Sequence, residues 1–390
     1  MRKPATDPVL HRLIRSRALN IADCIGMHLD ELQLSSSSMS EHDPMIKRVG
    51  VVGASGYTGT ELLRLLYGHP NLELVVATGD SKAGTRIADL YPSLAAAYGD
   101  RTYDAFTPEL VDGLDVVFCG LPHGVSQSVI PQIRGRVGHI VDLGSDFRLH
   151  DKGLYPKWYG AEHDHPALLD EFVYGLPELF RDKIAGAELI AATGCNAATA
   201  VFALVPLLAE GMIDGNGMIV NLITGVSGAG RPPKEATTFC SVDENVAAYA
   251  LLTHRHTPEI EQALTERTGR EASVLFTPHL APMNRGIIAT CYARPMSDGL
   301  STTSVLDAMR AFYADEPFMV VDERSPSTKA VTGSNAVHLT ARVDPRTGHV
   351  MAIAVLDNLM KGASGMAVQC ANLALGLPET AGLTAIGMYP

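Results

Sequence analysis

Apolar residues along this chain fall into two textures. Between residues 49 and 192 they form short, mainly apolar runs, at 49–52, 72–77, 115–119, 139–143 and 189–192, several of them ending in glycine-rich turns. Runs of this length, bounded by turn residues, read as strands buried on both faces, as in a parallel sheet. Leu62, Leu63, Leu65 and Leu66 give residues 60–67 the pattern of a buried helix. From about Tyr155 the texture changes. Runs at 218–223, 273–277, 286–292, 336–343 and 350–356 are strand-like, and Asp344-Pro345-Arg346-Thr347-Gly348 is a turn between the last two. Longer strands joined by hairpins predict a mixed or antiparallel sheet. The expected fold is therefore α/β followed by α+β. Tyr174-Gly175-Leu176-Pro177-Glu178 reads as an irregular turn and 366–375 as an apolar helix, with Asn358 and Lys361 as capping residues at its start.

The first 45 residues stand apart. Arg2, Lys3, Arg12, Arg15 and Arg17 precede a Ser35–Ser38 run, the pattern of an organelle transit peptide. Asp7, Asp23, Asp30, Glu31, Glu41 and Asp43 make the segment too acidic for a good one. A poorly ordered extension, or a start assigned upstream of Met45, is the preferred reading. At 390 residues two domains are expected. A net charge of −12 without a basic run argues against a general nucleic-acid binder. No uninterrupted apolar stretch reaches membrane-spanning length. Six scattered cysteines without a CxxC pair point to free thiols in a reducing compartment, hence a cytoplasmic protein.

The candidate chemistry sits at the turns. The 49–52 strand runs into Gly53-Ala54-Ser55-Gly56-Tyr57-Thr58-Gly59 and then a helix. In that context the glycines let the backbone approach a pyrophosphate at the helix N-terminus. The second strand ends at Gly79-Asp80-Ser81-Lys82, with Arg86 beyond. Ser81, Lys82 and Arg86 favour the 2′-phosphate of NADP, while Asp80 keeps NAD open. His123, in Gly120-Leu121-Pro122-His123-Gly124, reads as structural. Arg148 suits an anionic substrate group, with a local Asp146–Arg148 arrangement as the rival.

Cys195 follows a strand and opens an apolar helix in Ala192-Thr193-Gly194-Cys195-Asn196-Ala197-Ala198-Thr199. There the helix dipole and free N–H groups favour a thiolate and can hold an oxyanion; the alternative is a small buried thiol. Ser227-Gly228-Ala229-Gly230-Arg231 is either an anion cradle or a crossover. His254 and His256, with Glu259 three residues after the second, are an acid–base pair or a metal pair lacking a third ligand.

GASGYTGTELLRLL, GLPHG, VDLGSDFRL, YGLPE, the GC turn, SGAGR, HRHTPEIEQ, FTPHLAPMNRGI and DNLMKGASGMAVQ occur in this order over residues 47–383. The chain thereby resembles the N-acetyl-γ-glutamyl-phosphate reductases, which are similar in fold to aspartate-semialdehyde dehydrogenases. The resemblance implies a Rossmann-type NADP-binding domain, residues 46–193 and 358–390, and a mixed-sheet catalytic and dimerisation domain, 194–357. It implies reduction of an acyl phosphate by NADPH through a Cys195 thioester in arginine biosynthesis. His256 would be the acid–base partner, with His254 the alternate. Gly53, Ser55, Gly56, Tyr57, Thr58, Gly59, Ser81, Lys82 and Asn358 would hold the cofactor; Arg148, Asn196 and Arg231 the substrate; no metal is expected. Asn358 thereby moves from a cap to the nicotinamide site. One departure stands out: the family's GCYPT is GCNAAT here, which resembles sister enzymes that act on carrier-protein-bound glutamyl or aminoadipyl phosphates. The N-acetylated small molecule is the expected substrate and the carrier-linked one the alternative, with a homo-oligomer, dimer or tetramer, as the assembly. A non-catalytic NADP-binding sensor and a hydrolytic aldehyde dehydrogenase are the alternatives of other classes.

Overall fold

Strand β1 (Lys47–Val52) starts the first sheet because its last four residues are apolar or glycine and all are buried. The computed structural model describes residues 46–390; the reading of the N-terminal extension lies outside them. β1 feeds helix α1 (Tyr57–Tyr67), whose Leu62, Leu63, Leu65 and Leu66 are buried as their spacing predicts. β2 (Leu72–Ala77), β3 (Val116–Cys119), helix α2 (Ser126–Ile133) and β4 (His139–Asp142) follow. β5 (Val173–Gly175), helix α3 (Pro177–Ile184) and β6 (Leu189–Ala192) complete the first sheet. Its order is β2-β1-β3-β4-β6-β5 with every pairing parallel. Order reverses between β1 and β3, which makes the crevice above their C-terminal ends the ligand position in such a sheet.

Helix α4 (Cys195–Ala209) is the pivot of the molecule. Residues 196–208 are all buried. A helix apolar on every side belongs in a core, and this one packs against the second sheet and helix α5 (His256–Thr268). Phe202, Leu204 and Leu207 are at most 1% exposed. Each stabilises the fold by about 1.5–3 kcal/mol relative to exposure.

The second sheet comprises β7 (Met218–Gly225), β8 (Ala247–Ala248), β9 (Val274–Ala281), β10 (Ile287–Ala293), β11 (Met319–Val321), β12 (Val337–Val343) and β13 (Val350–Leu356). Its order, β11-β12-β13-β10-β7-β9-β8, mixes parallel and antiparallel pairs. The Asp344–Gly348 turn joins β12 and β13 as expected. β7 alternates buried and exposed residues, so one face covers α4 while the other presents Ile219, Ile223 and, from β9, Leu275. Helix α6 (Thr302–Phe312) opens on a Ser301 capping box.

Helix α7 (Gly365–Ala374) packs against α3, β4 and β6, so the chain returns to the first sheet. Two expectations are corrected here. The segment read as an irregular turn is strand β5 followed by α3, whose first residue is Pro177; a proline there loses no helical hydrogen bond. Lys361 is not a cap. It is fully buried, paired with Glu178 and 2.6 Å from Gln369 Oε1. Asp357 does the capping: its Oδ1 accepts from the backbone N–H of Leu359 and Met360, at 2.9 and 3.2 Å.

Candidate active site

Gly194 is the N-cap of α4, and two side chains crowd its Cα. A methyl group there would lie 2.5 Å from His256 Nε2 and 2.6 Å from an Arg148 terminal nitrogen. Only hydrogen fits, and the residue immediately after is the thiol. Strand β6 ends at Ala192, so the chain turns at Thr193-Gly194 and presents Cys195 at the first turn of the helix. The first N–H groups of that turn have no intrahelical partners.

Glu259 organises the pocket behind the turn. It is fully buried and accepts from Gly194 N at 2.7 Å, Tyr174 OH at 2.8 Å and Thr193 Oγ1 at 3.3 Å. Its other oxygen lies 3.5 Å from Arg148 and 3.8 Å from His256 Nε2. Two further guanidinium contacts fix Arg148: its Nε donates to Ala192 O at 2.8 Å, and a terminal nitrogen donates to Leu143 O at 2.9 Å. Burial opposes that charge, yet the carboxylate and nearby phenols more than restore it, so the guanidinium pKa is raised. The rival Asp146–Arg148 arrangement does not form. Asp146 instead accepts from His123 Nδ1 at 2.7 Å and Gly124 N at 2.9 Å.

Burial pushes the Cys195 thiol up to about 11, against the opposing pull of Arg148. In the free protein desolvation outweighs the pull of the guanidinium on the thiol. Burial also drives His256 well below the ordinary imidazole range, with His254 and Arg148 adding to the effect. His254 falls to about 4, through burial and then Arg255. Both rings are therefore neutral bases at pH 7. His256 Nδ1 is buried without a hydrogen-bond partner, whereas His254 Nδ1 accepts from the His256 backbone N–H at 3.1 Å. Asn196 Nδ2 donates to Tyr249 OH at 3.2 Å, and its Oδ1 lies 3.6 Å from the thiol sulfur.

The glycine turn forms a cradle. Gly53 has φ +87°, and a side chain there would collide with Gly120 O at the end of β3. Gly59 lies so close to Ala54 that a methyl group would meet its Cα at 2.5 Å. Ser55 Oγ donates to Gly79 O at 3.2 Å, tying the turn to the end of β2. Gly56 caps α1 without a side chain, leaving Tyr57 and Thr58 in the first turn with its free N–H groups. Ser81 is exposed and Lys82 partly so, on a turn spanning Asp80–Lys82. Arg86 is spent on Asp89 and Asp100, at 2.6 and 2.8 Å, which leaves it a surface ion pair.

The segment after β13 joins cradle to thiol. Ser364 Oγ donates to Thr58 O at 2.8 Å, while a methyl group on Gly362 would sit 2.8 Å from Cys195 Cβ. Asn358 Oδ1 accepts from Gly286 N and its Nδ2 donates to Ser227 Oγ, both at 2.8 Å. Tyr174, Gly362 and Asp357 were not singled out from the sequence; the glycine before the thiol and the acid three residues after His256 were the available signals.

A glycine cradle bridged to a cysteine at a helix N-terminus, with a neutral imidazole and a fixed guanidinium behind it, defines a dehydrogenase of the semialdehyde type. Residues 48–187 match the model of the semialdehyde dehydrogenase NAD binding domain, and 195–358 that of the semialdehyde dehydrogenase dimerisation domain. N-acetyl-gamma-glutamyl-phosphate reductase of Jannaschia sp. is 48% identical over 351 residues, 89% of this chain and 100% of the relative. The enzyme of that name from Symbiobacterium thermophilum is 47% identical over 350 residues, with the same coverage of each. Aspartate semialdehyde dehydrogenase II of Vibrio cholerae superposes with a TM-score of 0.63 at 16% identity, covering 84% of this chain and 98% of its own. The Candida albicans aspartate semialdehyde dehydrogenase solved with NADP gives 0.60 at 17%, covering 85% and 98%. The chain belongs to the N-acetyl-γ-glutamyl-phosphate reductase family.

Proposed function

We propose that this enzyme reduces N-acetyl-γ-glutamyl phosphate to N-acetylglutamate semialdehyde and phosphate with NADPH, the arginine-biosynthesis reaction named by its relatives. The observation that carries the reading is the convergence of Gly194, His256, Arg148 and Glu259 around Cys195.

Cys195 attacks the γ-acyl carbon, and the acyl–phosphate bond breaks to give a thioester and inorganic phosphate. His256, neutral in the free enzyme and with a spare ring nitrogen, takes the thiol proton. Deprotonation of so unfavourably placed a thiol is coupled to attack, which confines thiolate to the bound complex. Arg148 places positive charge beside the sulfur and the departing phosphate. The N–H groups opening α4, with Asn196, hold the carbonyl oxygen as charge develops on it. Bound NADPH supplies the hydride for the thioester. Gly53, Ser55, Gly56, Tyr57, Thr58 and Gly59 fit its pyrophosphate, since the cradle leaves room for nothing larger than hydrogen at Gly53 and Gly59. Ser81 and Lys82 fit the 2′-phosphate, and Asn358 positions the Ser227 loop beside the nicotinamide. Protonated His256 returns its proton as the thiolate leaves.

Residues 46–193 with 358–390 form the dinucleotide-binding half in this reading, and 194–357 the catalytic and dimerisation half. The exposed face of the second sheet, with Ile219, Ile223 and Leu275 at 38–48% exposure, supports a homo-oligomer built there. No helix among the described residues is long and apolar enough to cross a membrane, in keeping with a cytoplasmic enzyme.

The test is NADPH formation from N-acetylglutamate semialdehyde with and without phosphate, in wild type and Cys195→Ser. Phosphate-dependent turnover, abolished in the variant, is expected. A fully active variant would overturn the reading, and NADPH binding without turnover of the free semialdehyde would favour a carrier-linked substrate.

A further inference from the structure

Arg231 follows the Ser227–Gly230 turn, which leaves the C-terminal end of β7 and is anchored by Asn358 at 2.8 Å. Gly230, at φ +85°, turns the chain just before it. The guanidinium is partly buried and its Nε has no hydrogen-bond partner. Among the described residues no carboxylate lies within ion-pair distance of it. Its charge lies close enough to act on the phenols of Tyr91 and Tyr103, both in the segment between β2 and β3.

Those two tyrosines border the dinucleotide cradle. Tyr91 OH donates to Ser55 O at 2.9 Å, within the glycine turn itself. Tyr103 packs on the end of β2 so tightly that a methyl group on Gly79 would lie 2.6 Å from its Cβ. Its hydroxyl is buried and unpartnered. Gly79 immediately precedes Asp80–Lys82 and accepts from Ser55 Oγ. The guanidinium beside the thiol is a different one, Arg148. A cation without a protein counter-charge, with a buried unsatisfied N–H, held beside a pyrophosphate cradle, calls for an anion there.

We propose that Arg231 binds a phosphate group of the dinucleotide, so that the second half of the chain clamps the cofactor held by the first. Two phosphates share this chemistry: the pyrophosphate beside Ser55 and the 2′-phosphate beyond Gly79. The proposal rests on the dinucleotide-binding reading above and departs from the expectation that Arg231 meets substrate.

Equilibrium binding of NADPH and NADH, followed by reduced-nicotinamide fluorescence, tests it on the full-length free enzyme without turnover. Charge-assisted hydrogen bonds of this kind are worth about 10- to 100-fold in affinity. Arg231→Gln is expected to weaken NADPH by that factor and Arg231→Lys by less. Loss confined to NADPH assigns the 2′-phosphate; equal loss for NADH assigns the pyrophosphate. Unchanged NADPH affinity in Arg231→Gln, above all with a raised KM for the acyl substrate, would overturn the proposal. Wild-type enzyme that bound neither nucleotide would instead refute the dinucleotide reading itself. Unaltered alkylation of Cys195 and an unaltered melting temperature in Arg231→Gln show that the fold and the thiol pocket remain intact.

Discussion

Glu259→Ala removes the carboxylate on which the thiol turn is hung. The buried Arg148 then loses its counter-charge, which costs about 3–5 kcal/mol. Gly194 N–H and Tyr174 OH lose their acceptor as well. Each is worth about 1–3 kcal/mol alone, but groups in one network do not add, so about 3–5 kcal/mol is taken for the whole. At roughly 2–3 °C per kcal/mol the melting temperature falls by roughly 6–15 °C. Glu259→Gln is the more informative variant. Its amide oxygen can still accept from Gly194 and Tyr174, so much of the fold is retained, but the negative charge is gone. Glu259 raises the Cys195 pKa, and Arg148 lowers it. Neutralising the carboxylate therefore makes the thiol more acidic while misaligning His256 and Arg148. Expected together are faster iodoacetamide labelling of Cys195 at pH 8, read on its own peptide by mass spectrometry, and a kcat lowered about 10²- to 10⁴-fold. Slower labelling, or normal turnover, in Glu259→Gln would refute the assignment of Glu259 as the organiser of the site.

In the wild-type free enzyme, labelling of Cys195 should climb through pH 9 toward 11 instead of levelling near 8, since burial raises its pKa to about 11. The same shift means that native protein keeps a proton the unfolded chain releases: this stabilisation is full below about 9 and lost as pH rises toward 11. Gly362→Ala puts a methyl group 2.8 Å from Cys195 Cβ, so a stability loss of about 1–3 kcal/mol and reduced kcat are expected with NADPH affinity unchanged; a normal kcat would show that the segment yields. Lys361→Met leaves the Glu178 carboxylate buried without its cation and should cost about 3–5 kcal/mol in a denaturant melt, while the Lys361→Met, Glu178→Gln pair should recover part of it.

The first sheet was legible because its longer strands are short, mainly apolar runs, and β1 leads straight into a glycine turn. β5 was hidden within the Tyr174–Glu178 stretch, where two glycine and proline signals pointed to a turn. α6 was missed although Ser301 caps it, because its buried positions, Val305, Leu306 and Met309, are few. In the site, Cys195 and His256 could be read from neighbouring residues. Tyr174 could not: it meets Glu259 across 85 positions of sequence, a proximity that only the folded chain creates. Lys361 looked like a cap because a lysine near a helix end is ordinarily solvated; its partner Glu178 lies 183 positions earlier. The desolvation of the thiol was hidden for a related reason. A helix terminus is visible in sequence, while the depth at which it is buried is a property of the whole fold.

The wall behind the sulfur comes from a segment more than 160 positions downstream of it. Gly362 presses on Cys195, Ser364 reaches the glycine turn, and Asn358 holds the Ser227 loop. A nascent chain that has already delivered its nucleophile and its dinucleotide cradle still lacks the surface that sets them side by side. Synthesis order thus works as a safeguard: the reactive centre is completed only after residues 358–364 have emerged, and a message truncated before Asp357 yields a chain bearing the thiol but no assembled reductase.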